Sequence, residues 1–206
     1  PGNNTSNSYL YNIQPSDLTK RRYARFSGSG AGLVWAEAIS VTPEARTSDH
    51  QMMINENTAD SFKALVDDMK KNDVFAVAQL THSGRFAKNS DTPHALFATK
   101  SLPFEEKRPQ DIGVPVVTDD YLDRLPEKYA KAAKIAEDAG FDAIDVKACH
   151  QYLLDELLSA HTREGKYGGS FENRAKLMLD CFDAVRAVLK PSTVLASRLS
   201  LSDMIE

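Results

Sequence analysis

Three side chains that can donate or move protons lie within six residues of one another in this chain. Lys147, His150 and Tyr152 directly follow residues 141–146, an apolar run that predicts a short strand. The carboxyl ends of parallel strands are where α/β barrels build their active sites. The spacing therefore indicates a proton-transfer site at a strand end. The structural alternative is a loop-to-helix junction in which the histidine is a polar cap and the tyrosine a packing aromatic.

Two other predicted strands also carry polar side chains at their carboxyl ends, namely Gln79 and Arg198. Polar groups are costly inside an apolar sheet unless they are paired, and parallel α/β folds bind ligands at this edge. We therefore expect both residues to meet Lys147 there. The alternative is that each is a structural hydrogen-bonding or ion-pairing group, which for Lys147 means an internal pair with Asp145 on the same strand face.

The segment THSGR follows directly after Gln79, at residues 81–85. We expect His82 and Arg85 to lie in a loop above the same edge of the sheet. The alternative is a turn with a histidine on the surface.

These side chains must be positioned by alternating strands and helices. Apolar periodicity predicts helices over residues 16–28, 56–71, 120–139 and 171–190, and strands over 31–38, 74–80, 141–146 and 194–199. Such alternation favours a parallel sheet with right-handed crossovers and buried strands. The proline-rich residues 81–119 predict a long excursion, with a short hairpin that ends at Val116 and Val117.

Composition excludes several classes of protein. The 206 residues carry a net charge of −4, with acidic and basic residues interspersed, so no nucleic-acid surface is indicated. No apolar run approaches the ~20 residues of a membrane helix, and no signal peptide is visible. Cys149 and Cys181 have no metal-site or disulfide spacing, which favours the cytoplasm. The glycine-rich residues 28–32 follow a helix rather than a strand and do not match a dinucleotide fingerprint.

Four stretches, taken in order and spacing, resemble the old yellow enzyme family of FMN-dependent ene-reductases and related NADH:flavin oxidoreductases. They are GAGLVWAEAISVTPEAR (30–46), AQLTHSGR (78–85), FDAIDVKACHQYLLDELLSAHTREGKYGGSFENR (141–174) and VLASRLS (194–200). The resemblance implies an α/β fold, the TIM (β/α)8 barrel, of which about strands 2 to 5 and their helices are present. Residues 1–206 then form a partial FMN-binding barrel domain, with residues 81–119 over the active-site face.

The resemblance also assigns roles to cofactor-binding residues. Ala38, Gln79 and Arg198 match positions that contact FMN, with Gln79 at the pyrimidine ring and Arg198 at the N1–C2=O edge. Pro1 matches, more loosely, the end of a first strand that touches the flavin. NAD(P)H would be the reductant.

The same resemblance makes His150 a hydrogen-bond donor to the substrate's carbonyl oxygen and Tyr152 the proton donor to its α-carbon. The reaction implied is hydride transfer from NAD(P)H through FMN to an activated C=C bond, as in an α,β-unsaturated carbonyl compound. Lys147 departs from the family, which commonly has histidine at that position. A lysine can still donate a hydrogen bond to an oxyanion, as a point charge.

Two alternatives remain open from the sequence. One is a truncated, catalytically incomplete barrel segment that acts as an interaction module or degenerate paralogue; the other is a flavin-free barrel in which Lys147 forms a Schiff base. Because the chain begins at Pro1 and ends after the stretch that resembles the family's fifth strand, we expect it to be part of a longer polypeptide. The expected partner is a small-molecule substrate, without nucleic acid or membrane, and homo-oligomer formation is left open.

Overall fold

A parallel sheet of five strands forms the centre of the molecule. The computed structural model describes residues 13–90, 96–100 and 114–201. The strands are β1 (Leu33–Trp35), β2 (Ile39–Ser40), β3 (Phe75–Thr81), β4 (Ala143–Val146) and β5 (Val194–Ala196). Their order is β1-β3-β4-β5, and β2 pairs with β3 further along the same edge. All pairings are parallel, as the alternating pattern predicted.

Six α-helices are found in the part of the chain that the structure describes. They are α1 (Asp17–Ser27), α2 (Ala59–Lys70), α3 (Asp119–Asp123), α4 (Leu125–Ala139), α5 (Leu153–Leu158) and α6 (Phe171–Val188). Short 3-10 turns span Pro43–Ala45 and Gly84–Phe86. The expected helices are present, with ends that differ by a few residues.

The predicted helix over 120–139 is wrong in one respect, because it is two helices. Thr118 caps α3 by accepting a hydrogen bond from the Tyr121 N–H, and the short helix ends at Asp123, with Arg124 as its C-cap. Pro126 lies in the first turn of α4. Proline has no N–H to donate, so it is accepted in a first turn but interrupts a continuing helix.

The helices cover one face of the sheet. Ala76, Ala78 and Leu80 alternate along β3 on this face and belong to the main apolar core. The expectation that β1 is buried on both faces is wrong, since Leu33 and Trp35 are 50% and 43% exposed. Alternate side chains of a strand point to opposite faces, and these two point away from the helices.

Arg163 holds together the two described ends of the excursion after β3. Its guanidinium donates to the carbonyl oxygens of Ala98 at 2.6 Å and Val117 at 2.7 Å. A Cβ on Gly168 would lie 2.1 Å from the Arg163 carbonyl oxygen, so this position accepts only glycine. The T-R…Y-G-G pattern in the sequence therefore forms the support of the loop.

The expected hairpin that ends at Val116 and Val117 stays a prediction, because most of the excursion before Val116 lies outside the described residues. Val116 forms a single bridge with Phe97, and the bridge is parallel. Residues 91–95 and 101–113 of the excursion lie outside the described residues.

No helix among the described residues is long and apolar enough to cross a membrane. Within the same residues, no cluster of histidine, cysteine and acidic side chains could hold a metal ion.

Candidate active site

The strand register brings the polar strand-end residues to one face of the sheet. Gln79 lies opposite Asp145, and Asp145 lies opposite Ala196. Because side chains alternate along a strand, Lys147 and Arg198 point to this same face, opposite the one that the helices cover. The meeting of these groups at one edge, expected from the sequence, is what the structure shows.

Asp145 organises this face. Its carboxylate is fully buried and accepts hydrogen bonds from Gln79 Nε2 at 2.5 Å, Trp35 Nε1 at 3.1 Å and the Arg198 backbone N–H at 3.0 Å. The three donors come from three neighbouring strands or their ends. The internal Asp145–Lys147 pair considered from the sequence is therefore wrong, because the carboxylate is occupied by other donors.

Lys147 is instead stacked on an aromatic ring. Its Nζ lies 3.7 Å from the centroid of the Tyr152 ring, and the residue is only 3% exposed. Burial lowers the pKa of the Lys147 ammonium, and the nearby charge of Arg198 lowers it further. A cation on the face of a phenol is a favourable contact, and it fixes the relative positions of two candidate catalytic side chains.

His150 lies on a turn of unusual backbone geometry. His150 and Gln151 have φ angles of 65° and 57°, both in the left-handed region. The Asp155 carboxylate accepts from the Gln151 N–H at 2.7 Å and from the Ser200 hydroxyl at 3.0 Å. Ser200 Oγ in turn accepts from the His150 N–H at 3.1 Å. This network, the Asp155–Ser200 latch, holds the turn between β4 and α5.

Tyr152 immediately precedes α5 and is half-buried. Burial raises the pKa of its phenol, so the hydroxyl keeps its proton at neutral pH and can act as a proton donor. The His150 ring lies edge-on to the Tyr152 ring, with centroids 6.3 Å apart. Burial, followed by the charge of Lys147, lowers the pKa of His150, which favours a neutral imidazole with an N–H to donate.

His82 is not the surface histidine considered from the sequence. It is buried, and its Nδ1 accepts from the Gly84 N–H at 3.1 Å. Nε2 must then carry the hydrogen, and it donates to the Tyr121 hydroxyl at 2.7 Å. That hydroxyl donates to Glu44 Oε1 at 2.8 Å. Burial lowers the pKa of His82 to about 4, so this chain of hydrogen bonds is built around a neutral histidine.

Arg85 is also interior, paired with the Glu156 carboxylate at 2.7 Å. Both side chains are buried, and Thr99 adds a backbone N–H to the same carboxylate oxygen. The pair joins the loop after β3 to α5. Its role is structural, since it ties together two segments at this edge of the sheet.

A cleft of about 580 Å³ opens on the face that carries these groups. It is lined by residues from three strand ends: Trp35, Ala36, Glu37, Gln79, Ser197 and Arg198. Ala38 is next to this lining in the chain, and its carbonyl oxygen accepts a hydrogen bond from Gln51 Nε2 at 3.0 Å. Pro1, the fourth cofactor-binding candidate, lies outside the described residues.

Three residues that position the candidate site were missed from the sequence: Asp145, Asp155 and Ser200. Asp145 was considered only as a partner for Lys147, and the other two were not considered. Asp155 was detectable in principle, since an acidic residue at the start of a short helix can accept from backbone N–H groups just before it. Ser200 is distant in sequence from the turn it holds, and no local pattern reveals it.

Comparison with known proteins places this arrangement in a family. The sequence matches the profile of the NADH:flavin oxidoreductase / NADH oxidase family over residues 7–206. It is 34% identical over 193 residues to an NADPH dehydrogenase of Clostridium acetobutylicum, with 91% of this chain and 55% of that protein covered. An NADPH dehydrogenase of Bacillus licheniformis is 32% identical over 179 residues, which is 85% of this chain and 50% of that protein.

Solved structures agree on the fold. Old Yellow Enzyme from Pichia sp. AKU4542 is 29% identical, with a TM-score of 0.78 over 92% of this chain and 52% of that one. Morphinone reductase, at 24% identity, has a TM-score of 0.77 over 92% and 54%. The predicted fold is confirmed, since the sheet and its helices form part of a TIM barrel. The chain spans about half the length of the relatives it matches.

Proposed function

The chain belongs to the NADH:flavin oxidoreductase / NADH oxidase family, and from this we propose that the protein is an FMN-dependent oxidoreductase. NAD(P)H would supply the electrons, and the acceptor would be an activated C=C bond, as in an α,β-unsaturated carbonyl compound. Family membership favours this function over a non-catalytic interaction segment and over a flavin-free Schiff-base enzyme. When bound, FMN supplies the hydride chemistry that no amino-acid side chain provides.

The groups around the cleft fit a flavin. The Gln79 amide donates its Nε2 to Asp145, which leaves its oxygen to accept a ring N–H. The guanidinium of Arg198 has no partner among the described residues and lies on the same lining. It would stabilise negative charge on a ring oxygen or nitrogen. Ala38 would lie beside the ring, and Pro1 is proposed as a further contact.

The residues that follow β4 would bind the substrate, next to the cleft proposed for the flavin. His150 and Lys147 would donate hydrogen bonds to the substrate's acceptor oxygen, where negative charge develops during reduction. Tyr152 would deliver a proton to carbon from a phenol that its surroundings keep protonated. The stack of Lys147 on Tyr152 holds the oxyanion donor and the proton donor in a fixed relation.

One observation carries the proposal. The register of β3, β4 and β5 brings an amide, an ammonium and a guanidinium to one face at the carboxyl end of the sheet. The Asp145 carboxylate fixes the amide and the backbone of the guanidinium residue. A purely structural sheet would not place unpaired cations at the end where barrel enzymes have their active sites.

Titration of the purified protein with FMN, followed by visible absorbance, tests cofactor binding. NAD(P)H consumption with and without an enal such as cinnamaldehyde then tests the reaction. We expect bound flavin to be reduced by NAD(P)H and reoxidised by the enal. The matched variants are Arg198→Met in the cleft and Arg186→Met on α6, of which only the first is expected to weaken FMN binding. A protein that neither binds FMN nor consumes NAD(P)H contradicts the proposal.

We also propose that the protein works in the cytoplasm with small-molecule partners. Cys149 and Cys181 are both free and buried, as is usual in a reducing compartment. Homo-oligomer formation is an open part of this proposal and is measurable by light scattering.

A further inference from the structure

The ammonium group of Lys147 lies at the end of a largely buried side chain, and no counter-ion contacts it in the described part of the chain. The residue is 3% exposed, and its Nζ has no hydrogen-bond or ion-pair partner among the described residues. The Nζ atom lies over the face of the Tyr152 ring, 3.7 Å from its centroid. A ring face offers partial negative charge but no lone pair that accepts the three N–H bonds.

The two carboxylates whose charges act on Lys147, Asp145 and Asp155, form no ion pair with its ammonium and accept hydrogen bonds from other groups. Asp145 accepts from two side chains and one backbone N–H, and Asp155 accepts from Gln151 and Ser200. The other charged or titratable groups that act on Lys147 are Arg198 and Cys149. Arg198 is itself a cation, and neither it nor Lys147 forms an ion pair among the described residues, so both positive charges are available to a ligand.

A buried charge is costly unless a partner compensates for it. Lys147 has no such partner among the described residues, so a bound anion would supply one. Of the two cations at this edge, Arg198 lines the cleft proposed for the flavin. Lys147 is not part of that lining and lies on the Tyr152 ring, where it would contact the substrate. His150, edge-on to the same tyrosine ring, offers a second donor next to the ammonium.

We propose that Lys147 makes the site selective for ligands whose hydrogen-bond acceptor carries a full negative charge, and that α,β-unsaturated carboxylates are the substrate class it fits. The inference rests on the proposed function and narrows it. A carboxylate has two oxygens for the two donors, whereas an enone or enal has one neutral oxygen. A compact ammonium is a stronger partner for an anion than a neutral imidazole is.

The test compares two ligands of equal shape and different charge. Cinnamate is an anion, and cinnamamide is its neutral counterpart. Their dissociation constants are measured by calorimetry on the FMN-loaded protein, in the wild type, in Lys147→Met and in Lys147→His. The matched control is Lys20→Met, because Lys20 lies on α1 in an exposed ion pair with Asp17. Work at about pH 8 keeps a histidine at position 147 neutral.

We expect the wild type and the control to bind cinnamate at least about tenfold more tightly than cinnamamide, the usual size of one charged hydrogen bond. In Lys147→Met and Lys147→His the preference should disappear, while cinnamamide binding in Lys147→His stays near its wild-type level. Lys147→His keeps a neutral hydrogen-bond donor at this position. Its unchanged binding of cinnamamide would show that the protein is folded and that only the selectivity for charge is lost.

Two results overturn the inference: a wild type that binds both ligands equally, or a preference for cinnamate that survives in Lys147→Met. Reduction of cinnamaldehyde by NAD(P)H is measured separately in the wild type. If that reduction fails while the charge preference follows Lys147, the proposed reaction is wrong and the anion site stands. If reduction occurs without the preference, the reaction stands and the substrate class is wrong.

Discussion

The Asp155 carboxylate accepts the backbone N–H of Gln151 at 2.7 Å, and this contact holds a turn that the sequence alone disfavours. Two consecutive residues without glycine, His150 and Gln151, are in the left-handed region. Each such residue costs roughly 1 kcal/mol or more. The latch compensates for this cost and thereby orients the His150 ring beside Tyr152.

Loss of the latch should release the turn. Asp155→Ala is expected to weaken binding of cinnamate several-fold, because His150 relaxes to an ordinary backbone conformation. Gln151→Gly in the same chain should restore much of the binding, since glycine adopts a positive φ without strain. Ligand titrations on the single and double variants measure this. Equal binding by Asp155→Ala and the wild type would show that the latch does not orient His150 for ligand binding.

Tyr152→Phe isolates the phenol hydroxyl. The ring that Lys147 stacks on is kept, so the position of the ammonium should not change. We expect substrate reduction to slow by about 10²–10⁴, the usual contribution of a positioned proton donor. Flavin reduction by NAD(P)H should stay near the wild-type rate. Stopped-flow measurement of the two half-reactions separates these steps, and an equal loss in both contradicts a proton-donor role.

Gly84 is fixed by a close approach to α5. A Cβ there would lie 2.8 Å from the Leu153 nitrogen, and its φ is +57°. Gly84→Ala should therefore lower the free energy of unfolding by about 2 kcal/mol or more, combining backbone strain with a clash. Gly30→Ala is the matched control, because Gly30 has a φ of +87° with nothing within 4 Å. Urea unfolding should show a clearly smaller loss for Gly30→Ala than for Gly84→Ala.

The buried His82 should make stability depend on pH. Burial lowers its pKa to about 4, with Glu44 acting in the opposite direction. The unfolded chain binds a proton below about pH 6.5, whereas the folded chain does not until the pH approaches the lowered value. The contribution of His82 is therefore present above about pH 6.5 and is lost as the pH falls, by roughly 2–3 kcal/mol near pH 4.

Urea unfolding of the wild type and His82→Gln across this range measures that contribution. The difference in unfolding free energy between the two proteins should shrink as the pH falls from 7 to about 4. Tyr121→Phe, which keeps the histidine and removes its hydroxyl partner, is the control and should retain the pH dependence. A constant difference between wild type and His82→Gln at all pH values would contradict the neutral histidine.

The sequence by itself determined the architecture of this protein. Apolar runs such as 74–80 and the apolar stripe of α6 indicate which residues face the core. The alternation of strands and helices along the chain predicts a parallel sheet. Strand ends are also local features, so the sequence alone places Gln79, Lys147 and Arg198 at one edge. The division of the 120–139 helix near Pro126 was missed because a single residue interrupts an otherwise helical pattern. The exposed face of β1 was missed because its burial depends on which other elements cover that face.

Only the tertiary structure decided how these side chains are used. The sequence allowed Lys147 to pair with Asp145, but three donors from neighbouring strands occupy that carboxylate and leave the ammonium on the Tyr152 ring. Likewise, Ser200 reaches the His150 turn across 50 residues of chain. Which acceptor a donor finds depends on distances between strands, and short-range sequence patterns carry no information about those distances.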